Sequence, residues 1–403
     1  MTGYPAEHYL YQTGAQADPY PVYRKLLAER PVHWDGWSWN FVRYADVQSV
    51  LRHPHMLAGR VQPDPQWLAA SGAAPIFTVL QNMMLFNDAP THTRLRGLVN
   101  RAFTPRAVEA LRGSIQQLAD ELIDQVAASG RIELMDDFAQ PLPLLAIAAL
   151  LGVPAEDRGQ LKAWSESVAA WLGGTSAPEI ELIPVVARDM VAMSQYFRSK
   201  AAERRAAPRD DLLTALAQAE ENGDRLTADE FAANCILLLA AGHETTTNLI
   251  GSGMLALLQH PAQLALLRER PDLLPGAVEE LLRFVSPVQS TGRKAGEDTV
   301  IGGVQVTAGQ NCNIIIGAAN RDPAQFAHAD DLDVTRTDIR HLSFAHGAHY
   351  CVGAPLARLE GQIAFATLLR RLPDLALTSE PIVWRDNFAL RGLAHLPLTF
   401  RVG

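Results

Sequence analysis

Apolar residues recur at helical spacing over most of the chain. YPVYRKLLAER (20–30) carries them on one side, and ADVQSVLR (45–52) does the same. Between them WSWNFVRY (37–44) alternates in the manner of a strand. Residues 55–90 hold several prolines and no clear period, which predicts a long irregular loop. Its apolar tip, Val79–Phe86, either covers a ligand or packs on the core. Helical periodicity resumes from 92 to 206, with breaks expected near Pro141, Pro154, Gly173-Gly174 and Pro184, and again over 209–222. In DRLTADEF, Thr227 is followed three residues later by Glu230, the pattern of a capping box. The helix it opens is expected to reach about His260, roughly 50 Å long. Further strand-like runs come after 285: VSPVQS, TVIGGVQVTAG, NCNIII and HLPLTFRV, with Gly302-Gly303 at a hairpin turn. The pattern predicts a mainly α fold with small β-sheets. No linker separates the helix-rich body from the strand-rich end, so a single domain over 1–403 is expected.

The 403 residues carry a formal net charge of −9 with no block of like charge, which argues against a nucleic-acid binder. Three cysteines, Cys235, Cys312 and Cys351, are far apart and odd in number. A disulfide framework is therefore not expected, and a reducing compartment is. The opening residues MTGYPAEHYL have neither a basic start nor an apolar run, so no signal peptide is expected. The longest apolar stretches, 141–153 and 232–241, fall short of the ~18 residues that suggest a membrane span. The expectation is a cytoplasmic protein without a membrane segment, monomeric by default.

Two segments break local rules. Residues 240–248 read AAGHETTTN, at the centre of the long helix. Gly242 costs about 1 kcal/mol relative to alanine in a helix. Three threonines add β-branched crowding and hydroxyls that compete for backbone carbonyls. Such conflicts concentrate at functional sites. Glu244 beside Thr245 places an acid next to a hydroxyl, a pair able to relay protons; a kinked helix with solvated polar residues is the other reading. The second segment, 341–361, reads HLSFAHGAHYCVGAPLARLEG. Pro355 suits the first turn of a helix, so Cys351 lies just ahead of a helix N-terminus. The free N–H groups there favour thiolate over thiol. A thiolate could be a nucleophile or a metal ligand, and His341, His346 and His349 keep a zinc reading open, although their spacing matches no common zinc pattern.

Taken together, the segments resemble the bacterial soluble cytochrome P-450 family of heme-thiolate monooxygenases. Ala241-Gly242-His243-Glu244-Thr245 matches the oxygen-side helix, Glu280-Leu281-Leu282-Arg283 the Glu-x-x-Arg helix, Asn320-Arg321-Asp322-Pro323 the following loop, and Phe344 to Gly353 the cysteine loop. They occur in the family's order and spacing over essentially the whole chain. One departure is Ala345, where the family usually has glycine; its methyl is tolerable if the backbone there is not left-handed.

The resemblance implies the cytochrome P-450 fold, with the long helix over the heme, and heme b (iron protoporphyrin IX) as cofactor. It implies Cys351 as the metal ligand, with Phe344 packed near the sulfur and Gly353 in the same loop. His92, Arg96, Arg293 and His349 become candidates for the two propionates; His92 and Arg96, four apart, share one face of a predicted helix. Glu244 and Thr245 become the catalytic proton-delivery pair. Glu280 and Arg283 become a buried structural ion pair. The implied reaction is insertion of one atom of O2 into a C–H bond, or C=C bond, of a small apolar substrate. Electrons would come from a ferredoxin and its reductase. Arg94, Arg96, Arg101, Arg106 and Arg112, with Arg358, Arg370 and Arg371, suggest a basic face to steer an acidic partner. A peroxide-driven enzyme needs no acid–threonine pair, so Glu244-Thr245 favours O2.

Overall fold

The longest helix begins where Thr227 and Glu230 cap one another. In the computed structural model, which describes residues 17–59, 63–174, 179–221 and 223–402, the Thr227 N–H donates to the Glu230 carboxylate at 2.9 Å. The Glu230 N–H donates to the Thr227 hydroxyl at 3.2 Å. The helix spans Ala228–Gln259, 32 residues, or about 48 Å. Gly242 and the three threonines do not interrupt it, because residues 231–240 and 246–257 on either side are buried. Tertiary packing outweighs the poor local propensity.

The chain divides into two compact units, and the division falls inside this helix, between Glu244 and Thr245. One unit holds residues up to Met56, Ile115–Leu142 and the chain from Thr245 onward. Its main sheet places Val32–Trp34, Ser38–Phe41, Asn311–Ile315 and Ser290–Ala295 side by side in that order. Only the Ser38–Phe41 and Asn311–Ile315 pairing is parallel among these. Phe41, Val47, Val50, Ile301, Ile314 and Phe326 fill the core beside it. Helix Leu274–Val285 packs on helix Ala354–Arg371 in the same unit. The long helix reaches the latter too: a Cβ on Gly253 would stand 2.7 Å from the Phe365 ring.

The other unit holds Leu57–Ser114 and Pro143–Glu244. Its helix Glu179–Ala206 packs on both Arg158–Gly173 and Ala74–Gln81. The fully buried Arg204 ties it together, donating to Asp211 at 2.6 Å and to the Gly152 carbonyl at 2.9 Å.

Several expectations change. Residues 55–90 are not an irregular loop: they form helices Pro65–Ser71 and Ala74–Gln81 and a short turn, Met84–Phe86. Pro65 and Pro75 sit in first turns, where a missing N–H costs nothing, and Asp64 accepts two N–H groups as a cap. Pro184 lies inside helix Glu179–Ala206 rather than ending it. The expected helix over 209–222 shortens to Leu212–Gln218, followed by the hairpin Glu220–Glu221 and Asp224–Arg225. VSPVQS forms no strand before Ser290, apart from a bridge between Val288 and Leu390. The Gly302-Gly303 hairpin is present, with φ of 61° and 82° at its turn. Among the described residues, no helix is long and apolar enough to cross a membrane.

Candidate active site

The cysteine loop is built from the backbone outward. The Cys351 N–H donates to the Phe344 carbonyl at 2.9 Å, and the Ala345 N–H to the Leu342 carbonyl at 2.8 Å. Buried Asn320 anchors the loop's start: its Oδ1 accepts the Leu342 N–H at 2.8 Å, and its Nδ2 donates to the Ser343 hydroxyl at 2.9 Å. Gly347, at φ 74°, is required, since a Cβ there would stand 2.7 Å from the Leu51 carbonyl oxygen.

Ala345 corrects an expectation. Its φ of 58° is left-handed, so its methyl sits in a strained conformation. Ala345→Gly is expected to stabilise the protein by about 0.5–1 kcal/mol, the relief of left-handed strain less the added unfolded-chain freedom. Urea unfolding of the two proteins measures it; a lower midpoint for the glycine variant would contradict it.

Cys351 precedes the 18-residue helix Ala354–Arg371, whose N-cap, Gly353, supplies no side-chain hydrogen bond. The helix N-terminus therefore offers its N–H groups to whatever lies ahead of it. A Cβ on Gly353 would lie 3.9 Å from the Cys351 sulfur. Cys351 is half-buried, whereas Cys235 and Cys312 are buried. Burial pushes the Cys312 thiol up to about 12 and the Cys235 thiol well above its usual value. Cys351 is thus the cysteine with both access and an electropositive setting. Two of the three histidines nearby turn to other partners. Nδ1 of His346 accepts from Arg52 at 3.2 Å and from the Gly347 N–H at 2.7 Å. His341 pairs with Glu279. Among the described residues, no three His, Cys, Asp or Glu side chains converge on a metal-ion site, so the zinc reading gains nothing.

In the middle of the long helix the burial pattern opens. Ala241 is exposed, Gly242 and Thr245 are half-buried, and the residues before and after are buried. Ala241 and Thr245 are four apart and share a face. That accessible face, with its hydroxyl, and the accessible thiol at a helix start are the chemistry a heme-thiolate site requires. Glu244 and His243 are buried, and His243 Nδ1 lies 3.2 Å from the Ser165 hydroxyl. Gly242 has a packing reason: a Cβ there would press on Ile147 at 3.3 Å.

The cation candidates are distributed as follows. His92 and Arg96 both lie on helix Thr91–Ala102; His92 is buried, and Arg96 donates to Asn100 at 3.0 Å. Arg293 is buried in strand Ser290–Ala295 and donates to the Gly292 carbonyl at 2.8 Å. His349 lies in the turn Gly347–His349. The expected basic docking face is largely neutralised. Arg94 pairs with Glu230 and Asp224, Arg112 with Glu109, Arg358 with Glu279, and Arg370 and Arg371 with Asp120.

Sequence reading missed two carboxylates. Glu279 binds Arg358 and His341. Glu360 is fully buried, with the Thr246 hydroxyl beside it, and burial holds its carboxyl well above the usual range. Its signal was available: Leu356, Glu360, Ile363 and Thr367 fall on one helical face, where an acid is out of place.

The cytochrome P450 family model matches residues 43–373. Cytochrome P450 107B1 of Saccharopolyspora erythraea is 44% identical over 368 residues, 90% of this chain and 89% of that protein. Vitamin D(3) 25-hydroxylase of Pseudonocardia autotrophica is 39% identical over 403 residues, 98% of this chain and 96% of that protein. Among solved structures, P450BioI in complex with an acyl carrier protein ligated to hexadec-9Z-enoic acid is similar with a TM-score of 0.91. Its identity is 39%, over 96% of this chain and 99% of that one.

Proposed function

The chain belongs to the cytochrome P450 family of heme-dependent monooxygenases, and from that premise we propose that it oxidises a small, mainly apolar organic molecule at a heme b held by Cys351. The observation that carries this is the half-buried thiol at the start of an 18-residue helix without a side-chain cap. When bound, the heme supplies activation of O2 by two electrons and two protons, one oxygen atom entering a C–H or C=C bond and the other leaving as water.

The protein's residues do the rest. The N–H groups at the start of Ala354–Arg371 temper the negative charge on the Cys351 sulfur. The Phe344 carbonyl fixes the Cys351 backbone, its ring keeps water from the sulfur, and Gly353 leaves room beside it. Arg293, His349, His92 and Arg96 are the cations assigned to the propionates. Thr245 holds water against the reacting oxygen, and Glu244 passes protons to it. One helix carries Glu244 and Thr245, on either side of the division between the two units.

An apolar substrate is supported by the 25-hydroxylase relative and by the fatty-acyl ligand of the P450BioI structure. Electrons come from a ferredoxin and its reductase in the cytoplasm, in keeping with a chain whose three cysteines form no disulfide. With most docking arginines already paired, reduction by a ferredoxin is expected to depend only weakly on salt.

The test has two parts. Purified protein is expected to show the thiolate-type ferrous–CO band, and a compound library should yield apolar ligands that shift the ferric heme spectrum. Thr245→Ala is expected to keep both properties, yet to release hydrogen peroxide while product per electron pair falls about tenfold or more. Unchanged coupling in that variant would remove Thr245 from proton delivery.

A further inference from the structure

The Phe344 carbonyl holds the Cys351 amide, and the Phe344 ring is itself held. The Arg358 guanidinium lies over it, 4.6 Å from the centroid. The His341 ring stands 5.5 Å away and the Tyr350 ring 6.3 Å away. Glu279 ties these groups together. Arg358 donates to both of its oxygens, through Nε at 2.7 Å and Nη2 at 2.8 Å. Nη1 of Arg358 reaches the Tyr350 hydroxyl at 3.3 Å. His341 Nε2 lies 3.2 Å from the second Glu279 oxygen.

The tautomer of His341 follows from its other nitrogen. Nδ1 faces the Ser343 N–H at 3.2 Å, and a backbone N–H can only donate. Nδ1 therefore carries the lone pair, Nε2 carries the proton, and the neutral ring donates to Glu279. The side chain of His341 is 3% exposed, that of Glu279 24% and that of Arg358 33%. The cluster thus holds one positive and one negative charge, both partly shielded from water. Burial raises the Glu279 carboxyl, but the Arg358 and His341 hydrogen bonds overcome it and hold it at about 2, so the ion pair is intact at neutral pH.

We propose that Arg358, Glu279 and His341 are positioning residues that clamp Phe344 against the Cys351 loop, and that their opposed charges set the electron affinity of the thiolate-bound heme. The inference rests on Cys351 as the ligand. Reduction adds an electron close to the sulfur. A guanidinium nearby stabilises that charge and a carboxylate opposes it, so the intact pair nearly cancels. Removing either member exposes the other.

The experiment is potentiometric titration of the purified heme-loaded protein and its variants. Arg358→Gln leaves Glu279 uncompensated and lowers the potential; the one-electron equilibrium shifts by about tenfold, ~59 mV. Glu279→Gln leaves Arg358 uncompensated and raises it by a similar amount. The double variant returns to within about twofold of the parent, ~18 mV. Arg358→Lys keeps the charge, disturbs the chain less, and stays within that same range. Shifts of one sign in both single variants, or no shift in either, overturn the proposal. So does a lysine variant that moves as far as the glutamine variant. A parent protein lacking the thiolate-type ferrous–CO band would sink the ligand assignment. A parent that has the band, with variants that fail the sign test, sinks this inference alone.

Discussion

Cys351→Ser loses the thiolate-type ferrous–CO band, and monooxygenase turnover falls by at least about a thousandfold, ~4 kcal/mol in barrier terms. A serine hydroxyl stays neutral at working pH, so the electron donation that favours O–O cleavage is gone. The loop should survive, because the Cys351 N–H bond to the Phe344 carbonyl and the Asn320 bonds to Leu342 and Ser343 are kept. The other cysteines are the controls. Cys235 and Cys312 are buried thiols held neutral by their surroundings, so Cys235→Ala and Cys312→Ala should alter stability modestly and leave the spectrum as it was. An unaltered spectrum in Cys351→Ser, or a lost band in either control, would relocate the ligand.

Arg283→Leu is expected to destabilise the protein by about 3–5 kcal/mol and to lose heme before it unfolds. Arg283 and Glu280 are both fully buried. Arg283 donates to both Glu280 oxygens at 2.7 Å, and to the carbonyls of Asn320, Ala329 and Asp331 at 2.9, 2.7 and 2.9 Å. Arg336 adds a second cation 3.1 Å from Glu280. Leucine leaves three carbonyls and part of a carboxylate unsatisfied in a dry interior, the costly half of breaking a buried pair. Asn320 couples this network to the cysteine loop through Leu342 and Ser343. Heme release and urea unfolding, measured in parallel, check both halves. A variant within about 1 kcal/mol of the parent would show that Arg336 carries the charge alone.

The parts legible in the sequence were those whose causes lie within a few residues. Thr227 and Glu230 announce the long helix because capping is a local exchange of hydrogen bonds. Gly302-Gly303 announces a turn because both positions need positive φ. The four motif segments pointed to the family that the comparisons then gave. What failed depended on distant partners. Prolines at 65 and 75 looked like breakers, yet each lies in the first turn of a helix, and the second helix is buried through Ile76 and Phe77. The arginines looked like an open basic face, yet the carboxylates that neutralise Arg94 and Arg358 lie 136 and 79 residues away in the chain. Ala345 could be judged only from a backbone angle, which no sequence displays.

The main sheet has a consequence for synthesis. Asn40 and Asn313 pair across two parallel strands although 273 residues separate them. At ribosomal rates of about 5–20 residues per second, the amino-terminal hairpin waits some 14–55 s for its neighbour to emerge. During that interval strand Ser38–Phe41 presents an unpaired edge, the surface on which nascent chains stick to one another. Yield of this protein should therefore respond to translation speed and chaperone supply more than to the stability of the finished fold.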